Sequence, residues 1–315
     1  MAELNDIGFE ITENDAQSVN TLENCPSPPA PFHRLKNPIV APPIIFNDQE
    51  QHPTNIKNIV PFNNIFFNDA KIYLFNTTKS SPSSNARTKK TNNTFLQRFM
   101  NFFRPSTNSN VDQAFNRQCD QLLTLAKHPC NTSDHIHIRM LYTIYRRLTN
   151  SKEIFYHILG SHWEEIGFQT SNPETDFRST GLFSLCFLLY FVDSMYLPLA
   201  KQIYQLSHDQ HQQFPFCCIG INLANILIKQ LRQQNSRTNL RKIIHENSAI
   251  DLSGKLFMAL YLSFYLKWKD NVYTIEHTQQ VLTELEQTLN HRPRILFTEF
   301  DNYFCRRQIE NNLVI

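Results

Sequence analysis

The chain has 315 residues, a formal net charge of +2, 41% hydrophobic residues and 18% charged residues. This apolar content allows a substantial core, in one large domain or two small ones. The near-neutral charge argues against a dedicated nucleic-acid-binding protein, which would carry a strong basic excess. The six glycines form no GxGxxG or GxxxxGK pattern, which argues against nucleotide binding through the usual phosphate loops.

The cysteines and histidines indicate a reducing compartment and no metal centre. The seven cysteines form an odd set without a CxxC pair, and residues 1–23 are acidic and lack the apolar core of a signal peptide. We therefore expect a cytoplasmic protein with mostly buried thiols. His208 and His211 would share a helical face upstream of Cys217 and Cys218, but this spacing does not match a zinc site. No metal and no cofactor is predicted.

Residues 1–110 differ in composition from the rest of the chain. They contain eleven of the sixteen prolines and show no periodic apolar face, so we predict a largely disordered arm. Residues 59–75 depart from this composition because they are rich in aromatic and branched side chains. Three interpretations of them stay open: a short strand pair, a segment that docks onto the folded domain, or an apolar linker patch without a role.

A basic and aromatic segment covers residues 71–104, with seven Lys or Arg residues and no acid. Near its end, Phe95, Phe99 and Phe102 recur at helical spacing. This pattern suits an amphipathic helix that lies peripherally on an anionic membrane surface. It is equally the pattern of a leading helix packed on the domain, which is the more common role of aromatic residues at this spacing.

From residue 111 onward, apolar residues recur at helical spacing, which predicts an all-α domain over residues 111–292 and a C-terminal tail over 293–315. The run at 181–192 is apolar on all sides but too short to span a bilayer, so we expect it at the centre of a helix bundle. A second buried helix is predicted at 215–231, and Asp134 is predicted to cap a helix. The other predicted helices lie within 111–126, 134–148, 154–159, 252–268 and 281–289.

Residues 163–181 are polar at their centre and precede the most apolar run of the chain. Gly167 is predicted to end a short helix in a left-handed turn, and Pro173 to fix the backbone of the loop that follows. Asp176 or Ser179 is predicted to cap the next helix, because short polar side chains accept hydrogen bonds from the free N–H groups of a helix start.

Arg178 is the candidate functional residue of this loop. One interpretation is structural: the guanidinium pairs with Glu174, Asp176 or Glu165 and holds the loop together. The other is that the loop presents Arg178 to another molecule, since a guanidinium stays charged and binds phosphate oxygens in a bidentate manner. The residues of the loop alone do not decide between the two.

The pattern WxxxGFQxxxPxTDFRxxG resembles the signature of the ELMO domain family, and the resemblance extends over residues 112–292, through the apolar helix and 220-GINL-223 to the aromatic helix at 256–268. The family usually has glycine where this chain has Thr170 and Ser179. The matching site residues are Trp163, Gly167, Phe168, Gln169, Pro173, Thr175, Asp176, Phe177, Arg178 and Gly181.

This resemblance implies a single all-helical domain and a GTPase-activating function. Stand-alone ELMO-domain proteins stimulate GTP hydrolysis by GTP-bound small GTPases of the Arf and Arf-like classes, and the arginine matching Arg178 is the residue on which that activity depends. An arginine supplied in trans stabilises the charge that builds on the transferred phosphoryl group. Such an activator is not itself a nucleotide hydrolase and needs no phosphate loop.

Two alternatives follow from the same resemblance. The longer ELMO proteins are non-catalytic scaffolds that assist DOCK-type exchange factors toward Rac in cytoskeletal signalling. They add helical repeats before the domain and a pleckstrin-homology domain after it, which this sequence is not expected to have. A GTPase-binding module that has lost catalysis is the other alternative, because Thr170 and Ser179 replace glycines and are expected to stiffen the loop.

Overall fold

A computed structural model of the chain describes residues 63–79, 110–152, 158–246 and 248–313. In these ranges every regular element is helical, which confirms the predicted all-α class. The helices are α1 (Phe67–Lys79), α2 (Asn110–Leu125), α3 (His135–Thr149), α4 (His162–Glu165), the 3₁₀ helix Pro173–Ser179, α5 (Gly181–Val192), α6 (Leu197–Leu206), α7 (Phe216–Arg232), α8 (Gln234–Ile244), α9 (Ala249–Asp270), the 3₁₀ helix Ile275–His277, α10 (Thr278–His291) and α11 (Pro293–Leu313).

Three mutually packed helices, α5, α7 and α9, form the centre of the bundle. α5 is buried on nearly all sides, as its uninterrupted apolar sequence predicts. Aromatic rings join the three helices: the Tyr261 ring lies 5.4 Å from Phe191 and stacks on Phe216 at 5.0 Å between centroids. Each fully buried side chain of this kind contributes roughly 1.5–3 kcal/mol to stability, so this centre is a rigid support for the loops at its end.

By length and composition, α9 is also apolar enough to cross a membrane, and α5 with α6 would pass the same test only as one span bent by 106°. In the fold, however, 78% of the most apolar window of α9 is buried inside the protein. Apolar residues on all faces are what a helix at the centre of a bundle requires. We therefore interpret α9 as a core helix.

The predicted domain boundary at residue 111 is wrong for one segment of the arm. Residues 67–79 form α1, in which Phe67, Ala70 and Leu74 are buried against the bundle. For the described part of the 59–75 segment, from residue 63 onward, docking is thus confirmed and the strand pair is wrong, because one apolar face of a single helix is covered by α2, α3 and α5. The rest of the arm, including the aromatic stretch at 95–104, lies outside the described residues.

The predicted C-terminal tail is also wrong, because residues 293–313 form α11. Pro293 occupies the first turn of this helix, where its missing N–H has no intrahelical partner to lose. It therefore follows the helix that ends at His291, as predicted, and also begins the next one. Leu296 and Phe300 are buried, and the Tyr303 hydroxyl donates to Gln202 Oε1 at 2.8 Å.

Two further helices, α6 and α8, have no counterpart in the sequence-based prediction. Both bury few residues: α6 buries Leu199, Ala200 and Ile203, and α8 buries Leu240 with Arg237. The predicted cap is confirmed: Asp134 Oδ1 accepts from the N–H groups of Ile136 at 2.8 Å and His137 at 3.2 Å. The short helix predicted at 154–159 falls largely outside the described residues, and its last two residues lie in bends.

Candidate functional site

The aromatic residues of the 163–181 stretch form the buried floor of the candidate site. Trp163 is fully buried, and its indole N–H donates to the carbonyl oxygen of Ile158 at 2.8 Å. The Phe168 ring meets Trp163 edge-on with centroids 6.3 Å apart, and Phe177 meets Phe168 at 5.5 Å. Because these rings anchor the stretch at its start, middle and end, the polar segments between them are held in place by the core.

Gly167 joins this stretch to the beginning of α7. It has a φ of +86°, and a Cβ added to it would lie 2.3 Å from the backbone nitrogen of Phe216. The left-handed turn predicted here is therefore confirmed, and the close backbone approach independently requires glycine. The turn also serves α7, because the carbonyl oxygens of Ile166 and Gly167 accept from the N–H groups of Cys217 at 3.0 Å and Cys218 at 3.1 Å.

The loop that follows is a 3₁₀ helix of seven residues, Pro173–Ser179. Asn172 caps it, since its Oδ1 accepts from the N–H of Glu174 at 3.1 Å, and Pro173 occupies the first turn. The Thr175 hydroxyl donates to the Asn172 carbonyl oxygen at 2.9 Å. Thr170 adds a further bond to the same carbonyl at 3.1 Å. The segment that carries Arg178 is therefore an ordered helical turn.

Each acid that the sequence offers as a partner of Arg178 is bound to a different group. Glu174 Oε1 accepts from the backbone N–H of Thr132 and, at 2.7 Å, from its hydroxyl. Asp176 Oδ2 accepts from the N–H of Gln169 at 2.8 Å, and Glu165 Oε2 accepts from a tyrosine hydroxyl of α3 at 2.6 Å. Within the described residues none of these carboxylates forms an ion pair with Arg178, so the predicted pairing of the guanidinium with one of these acids is not formed there.

The predicted cap of α5 by Asp176 or Ser179 is wrong as well. Thr180 occupies the N-cap position and makes no side-chain capping bond. Its buried hydroxyl lies 2.6 Å from that of Ser184. Asp176 is instead used to tie the 3₁₀ helix to the turn at Gln169. The reason is geometric, since the intervening 3₁₀ helix directs the Asp176 side chain back along the chain and away from α5.

Arg178 lies on the exposed side of the 3₁₀ helix. Its Nε donates to the carbonyl oxygen of Thr175 at 2.7 Å, one turn earlier. This bond occupies the Nε of the guanidinium and leaves the two terminal nitrogens without a hydrogen-bond partner among the described residues. Fixing a long side chain in the unbound protein lowers the entropy that is lost when it binds a ligand. The arrangement suits an arginine that acts on a group supplied from outside.

A cleft of about 160 Å³ opens beside Arg178, between the 3₁₀ helix and the turn that follows α2. Glu174 and Phe177 line one wall, and Gly181 lies at its end. The turn supplies Ala126, Lys127, His128, Pro129 and Cys130. The cleft thus brings a segment about 50 residues earlier in the chain against the predicted site, with a second cation, Lys127, among its lining residues.

A larger cleft, of about 430 Å³, has Gly167 among its lining residues. Glu164 and Glu165 also line it, together with His208 and Phe214 of the α6–α7 connection. His208 is used structurally, since its Nε2 lies 3.1 Å from the Glu165 carbonyl oxygen. In the described part of the chain no group of three His, Cys, Asp or Glu residues is arranged to hold a metal ion.

The thiols and the imidazole next to the site are uncharged at neutral pH. Burial raises the pKa of Cys218 to about 12, and the nearby Asp176 carboxylate adds to this effect. Burial likewise raises the pKa of Cys130 to about 12, with Glu174 contributing. Burial lowers the pKa of His162 to about 4. Because nucleophilic reactivity requires the thiolate, neither thiol is a ready nucleophile.

The structure places the predicted site residues in an inner group and a surface group. In the inner group, Trp163, Phe168, Pro173 and Phe177 are buried anchors, and Gly167 and Gly181 are points of close backbone contact. Gln169 and Arg178 are exposed, whereas Thr175 and Asp176 are half-buried and bonded within the loop.

Sequence reasoning missed three further residues of the site. Asn172 was readable as a cap because it precedes a proline, and Asn-Pro favours turn initiation. Thr132 and Lys127 had no local signal, since each meets the 163–181 stretch only through tertiary contact.

Comparison with known proteins places these features in one family. The sequence model that describes the ELMO/CED-12 family matches residues 120–282, slightly more than half of the chain. Human ELMO domain-containing protein 3 is 36% identical over 198 residues, which are 62% of this chain and 51% of that protein. Mouse ELMO domain-containing protein 2 is 29% identical over 142 residues, 45% of this chain and 48% of that protein.

The same domain recurs in a longer protein. Ankyrin repeat and ELMO domain-containing protein D of Dictyostelium discoideum is 25% identical over 179 residues, 51% of this chain and 14% of that protein. The chain spans about half the length of the human and mouse relatives. No solved structure matches it.

Proposed function

This chain belongs to the ELMO/CED-12 family, and we propose that it activates GTP hydrolysis by a small GTPase of the Arf or Arf-like class through Arg178. ELMO domains are linked to GTPase signalling, and ELMO-family proteins bind small GTPase-related partners. The observation that carries the finer proposal is that the Arg178 side chain is exposed, bonded through its Nε, and not paired with Glu165, Glu174 or Asp176.

The chemistry of phosphoryl transfer explains why such an arginine is sufficient. Charge spreads over the equatorial oxygens of the transferring group, and an arginine supplied in trans raises the rate by about 10³–10⁵. A guanidinium suits this task because it stays charged and offers two parallel N–H donors. Arg178 would donate from its two terminal nitrogens while its Nε remains bonded to the Thr175 carbonyl oxygen.

The framework of the site supports this role by limiting the positions of Arg178. Misplacement of a catalytic group by about 1 Å costs on the order of 10² in rate. The 3₁₀ helix is tied to the turn before α3 through Glu174 and Thr132, and to the Gln169 turn through Asp176. These ties, together with the buried Phe177, fix the orientation of the turn that carries Arg178 before any partner binds.

Thr170 and Ser179 do not argue against catalysis. Neither residue has a positive φ, the backbone conformation that would favour glycine. The Thr170 hydroxyl also adds a bond to the Asn172 carbonyl oxygen. Both side chains are therefore compatible with the ordered loop, and we propose an active domain in preference to a binding module without catalysis.

A single-turnover GTP hydrolysis assay with a panel of GTP-loaded Arf and Arf-like GTPases tests this proposal. We expect wild-type protein to accelerate hydrolysis by at least one GTPase, and Arg178→Lys to lose about 10³-fold or more of that acceleration. Arg117→Lys is the matched control, because Arg117 is also exposed and its Nε donates to the carbonyl oxygen of its own helix, at Gln113. Equal activity of wild type and Arg178→Lys would overturn the role of Arg178.

The scaffold alternative predicts a different result in the same experiment. A scaffold or a non-catalytic binding module would bind the GTP-loaded GTPase without accelerating hydrolysis in either wild type or variant. Binding to DOCK-type exchange factors in place of Arf-class GTPases would favour the scaffold in particular.

We further propose that the protein acts in the cytoplasm, peripherally on membranes that carry a lipid-anchored GTPase. The support is the basic and aromatic composition of residues 71–104, which favours an anionic surface. Residues 71–79 of this segment belong to the docked helix α1, so the contact is assigned to 80–104. Co-sedimentation with liposomes should require anionic lipid and should weaken at high salt. Equally strong binding to neutral and to anionic liposomes would contradict the proposal.

A further inference from the structure

We propose that the cleft beside Arg178 receives an acidic side chain of the GTPase and that Lys127 binds it. This inference rests on the proposed function, because the partner is the same GTPase. Lys127 would be a positioning residue, since it would hold the partner in the orientation in which Arg178 meets the nucleotide. It makes no contact with the reacting phosphate in this account.

The turn that carries Lys127 is held firmly against the site. The N–H of Lys127 donates to the Thr124 carbonyl oxygen at 3.0 Å, and the N–H of His128 to Leu125 at 3.2 Å. The His128 carbonyl oxygen in turn accepts from the N–H of Leu182 at 2.9 Å. These bonds join the end of α2 to the beginning of α5, so the position of Lys127 relative to Arg178 is set by backbone contacts.

Gly181 explains how the two segments come so close. Its φ is +51°, and an added Cβ would lie 2.4 Å from the His128 carbonyl oxygen and 2.8 Å from that of Ala126. Only a residue without a side chain allows the turn after α2 to approach this near. Gly181 therefore brings the turn that carries Lys127 to the same cleft as Arg178.

The charges at the cleft favour an anionic guest. Lys127 and Arg178 line it together with one carboxylate, Glu174, whose Oε1 is already occupied by the donors of Thr132. No ion pair within the described residues includes Lys127 or Arg178. Since the chain as a whole carries only +2, two cations at one cleft are a local feature and not a result of a generally basic surface.

The size of the cleft identifies the guest as a side chain. Sites for small molecules and cofactors enclose about 300–1,000 Å³, whereas this cleft encloses about 160 Å³. A nucleotide does not fit, but one carboxylate side chain does, and its hydrogen bonds to an ammonium group are charge-assisted. Because Arg178 lines the cleft, an acidic side chain of the partner bound there would lie close to the arginine that acts on the nucleotide.

A purely structural role for Lys127 makes a different prediction. The residue follows the end of α2, where a cation is favoured by the negative end of the helix dipole. Loss of that contribution would lower the melting temperature of the variant and would leave partner binding unchanged. The two roles are therefore separated by measuring thermal stability and partner affinity on the same protein.

The test is the steady-state kinetics of activation, with the GTP-loaded GTPase as the varied substrate. At low salt, Lys127→Gln should raise KM about two- to fivefold and leave kcat unchanged, as expected for an exposed charge at the edge of an interface. Lys127→Arg should restore the wild-type KM, and Lys127→Glu should raise KM roughly tenfold through repulsion. The difference between wild type and Lys127→Gln should shrink at high salt. Lys242→Gln, at an exposed lysine of α8, should behave as wild type.

Several outcomes overturn the inference. An unchanged KM in Lys127→Gln, a loss confined to kcat, or a change in melting temperature alone would each contradict it. If wild type binds the GTPase loaded with a non-hydrolysable analogue but does not accelerate hydrolysis, the proposed function fails. The dissociation constant then tests Lys127: a weaker complex with Lys127→Gln supports the inference and an equal one overturns it. Absence of any binding by wild type overturns both proposals.

Discussion

The 163–181 stretch has two parts: a framework of buried or closely packed residues, and an exposed tip at Arg178. The two parts differ in where their contact partners lie. Framework residues such as Trp163, Gly167 and Phe177 meet partners on other helices or in the core. Arg178 at the tip contacts its own turn and otherwise faces the solvent and the cleft. One region has its partners inside the protein, whereas the other has a charged group directed outward.

This difference separates stability from activity. A buried aromatic residue, or a glycine with positive φ, stabilises the fold whether or not the domain binds a partner. An exposed, preorganised arginine adds little to the fold and needs another explanation. The contrast predicts that framework substitutions lower the free energy of unfolding, and that the tip substitution leaves it unchanged while removing activity.

Removal of Trp163 should cause the largest loss. Trp163→Ala deletes a fully buried indole and its bond to the Ile158 carbonyl oxygen. We expect the free energy of unfolding to fall by about 3–5 kcal/mol, because the cavity cannot collapse completely. Denaturant titration followed by circular dichroism measures it. A loss below about 1 kcal/mol would show that the framework is not anchored as described.

Substitution of Gly167 should be the next most damaging. Gly167→Ala combines a left-handed backbone, which costs an L-residue about 1–2 kcal/mol, with a Cβ 2.3 Å from the Phe216 nitrogen. We expect a total loss of about 2 kcal/mol or more. Gly220→Ala is the matched control, since that glycine lies within α7 without a positive φ, and its added Cβ would meet side-chain atoms of Leu188 at 2.6 Å and Tyr261 at 3.5 Å instead of backbone. Equal losses in the two variants would contradict the role assigned to Gly167.

Asp176 should affect both stability and activity. Asp176→Asn weakens the bond to the Gln169 N–H, so we expect a loss of about 1 kcal/mol together with slower GTP hydrolysis, because the turn that carries Arg178 loosens. Asp209→Asn is the control, since Asp209 accepts similar backbone bonds from His211 and Gln212 outside the site. Its loss of stability should be similar, with activity retained. A fall in activity in both variants would indicate general destabilisation instead.

The framework also predicts a modest pH dependence. Burial lowers the pKa of His162 from 6.5 to about 4, so between these values the unfolded chain binds more protons than the folded one. The contribution of the neutral His162 side chain to the free energy of unfolding is therefore complete above pH 6.5 and is lost as the pH falls toward 4. The difference in unfolding free energy between wild type and His162→Gln should narrow from pH 7.5 to pH 5. A difference that stays constant would contradict this environment for His162.

The fold class was predictable because several helices of the bundle carry their signal locally. The all-round apolar run at 181–192 and the Asp134 cap depend on adjacent residues, and both are confirmed. α8 was missed because it buries only two side chains. α11 was missed because Pro293 can either follow a helix or begin one, and only its packing against α9 and α10 decides.

Those features of the site that depend on residues adjacent in the sequence were predictable. The left-handed turn at Gly167 and the exposure of Arg178 follow from local chemistry. The partners of Glu174 and Asp176 do not, since Thr132 meets Glu174 only in the folded chain and Asp176 turns back to Gln169. The same reason hid Lys127, whose place beside Arg178 depends on the close approach at Gly181.

The most direct test of the contrast is a pair of measurements on one preparation of Arg178→Lys. We predict that its free energy of unfolding stays within about 0.5 kcal/mol of wild type, as for an ordinary surface substitution, while the acceleration of GTP hydrolysis by an Arf-class GTPase falls by about 10³-fold or more. A variant that unfolds at the wild-type denaturant concentration and still accelerates hydrolysis as wild type does would contradict the account.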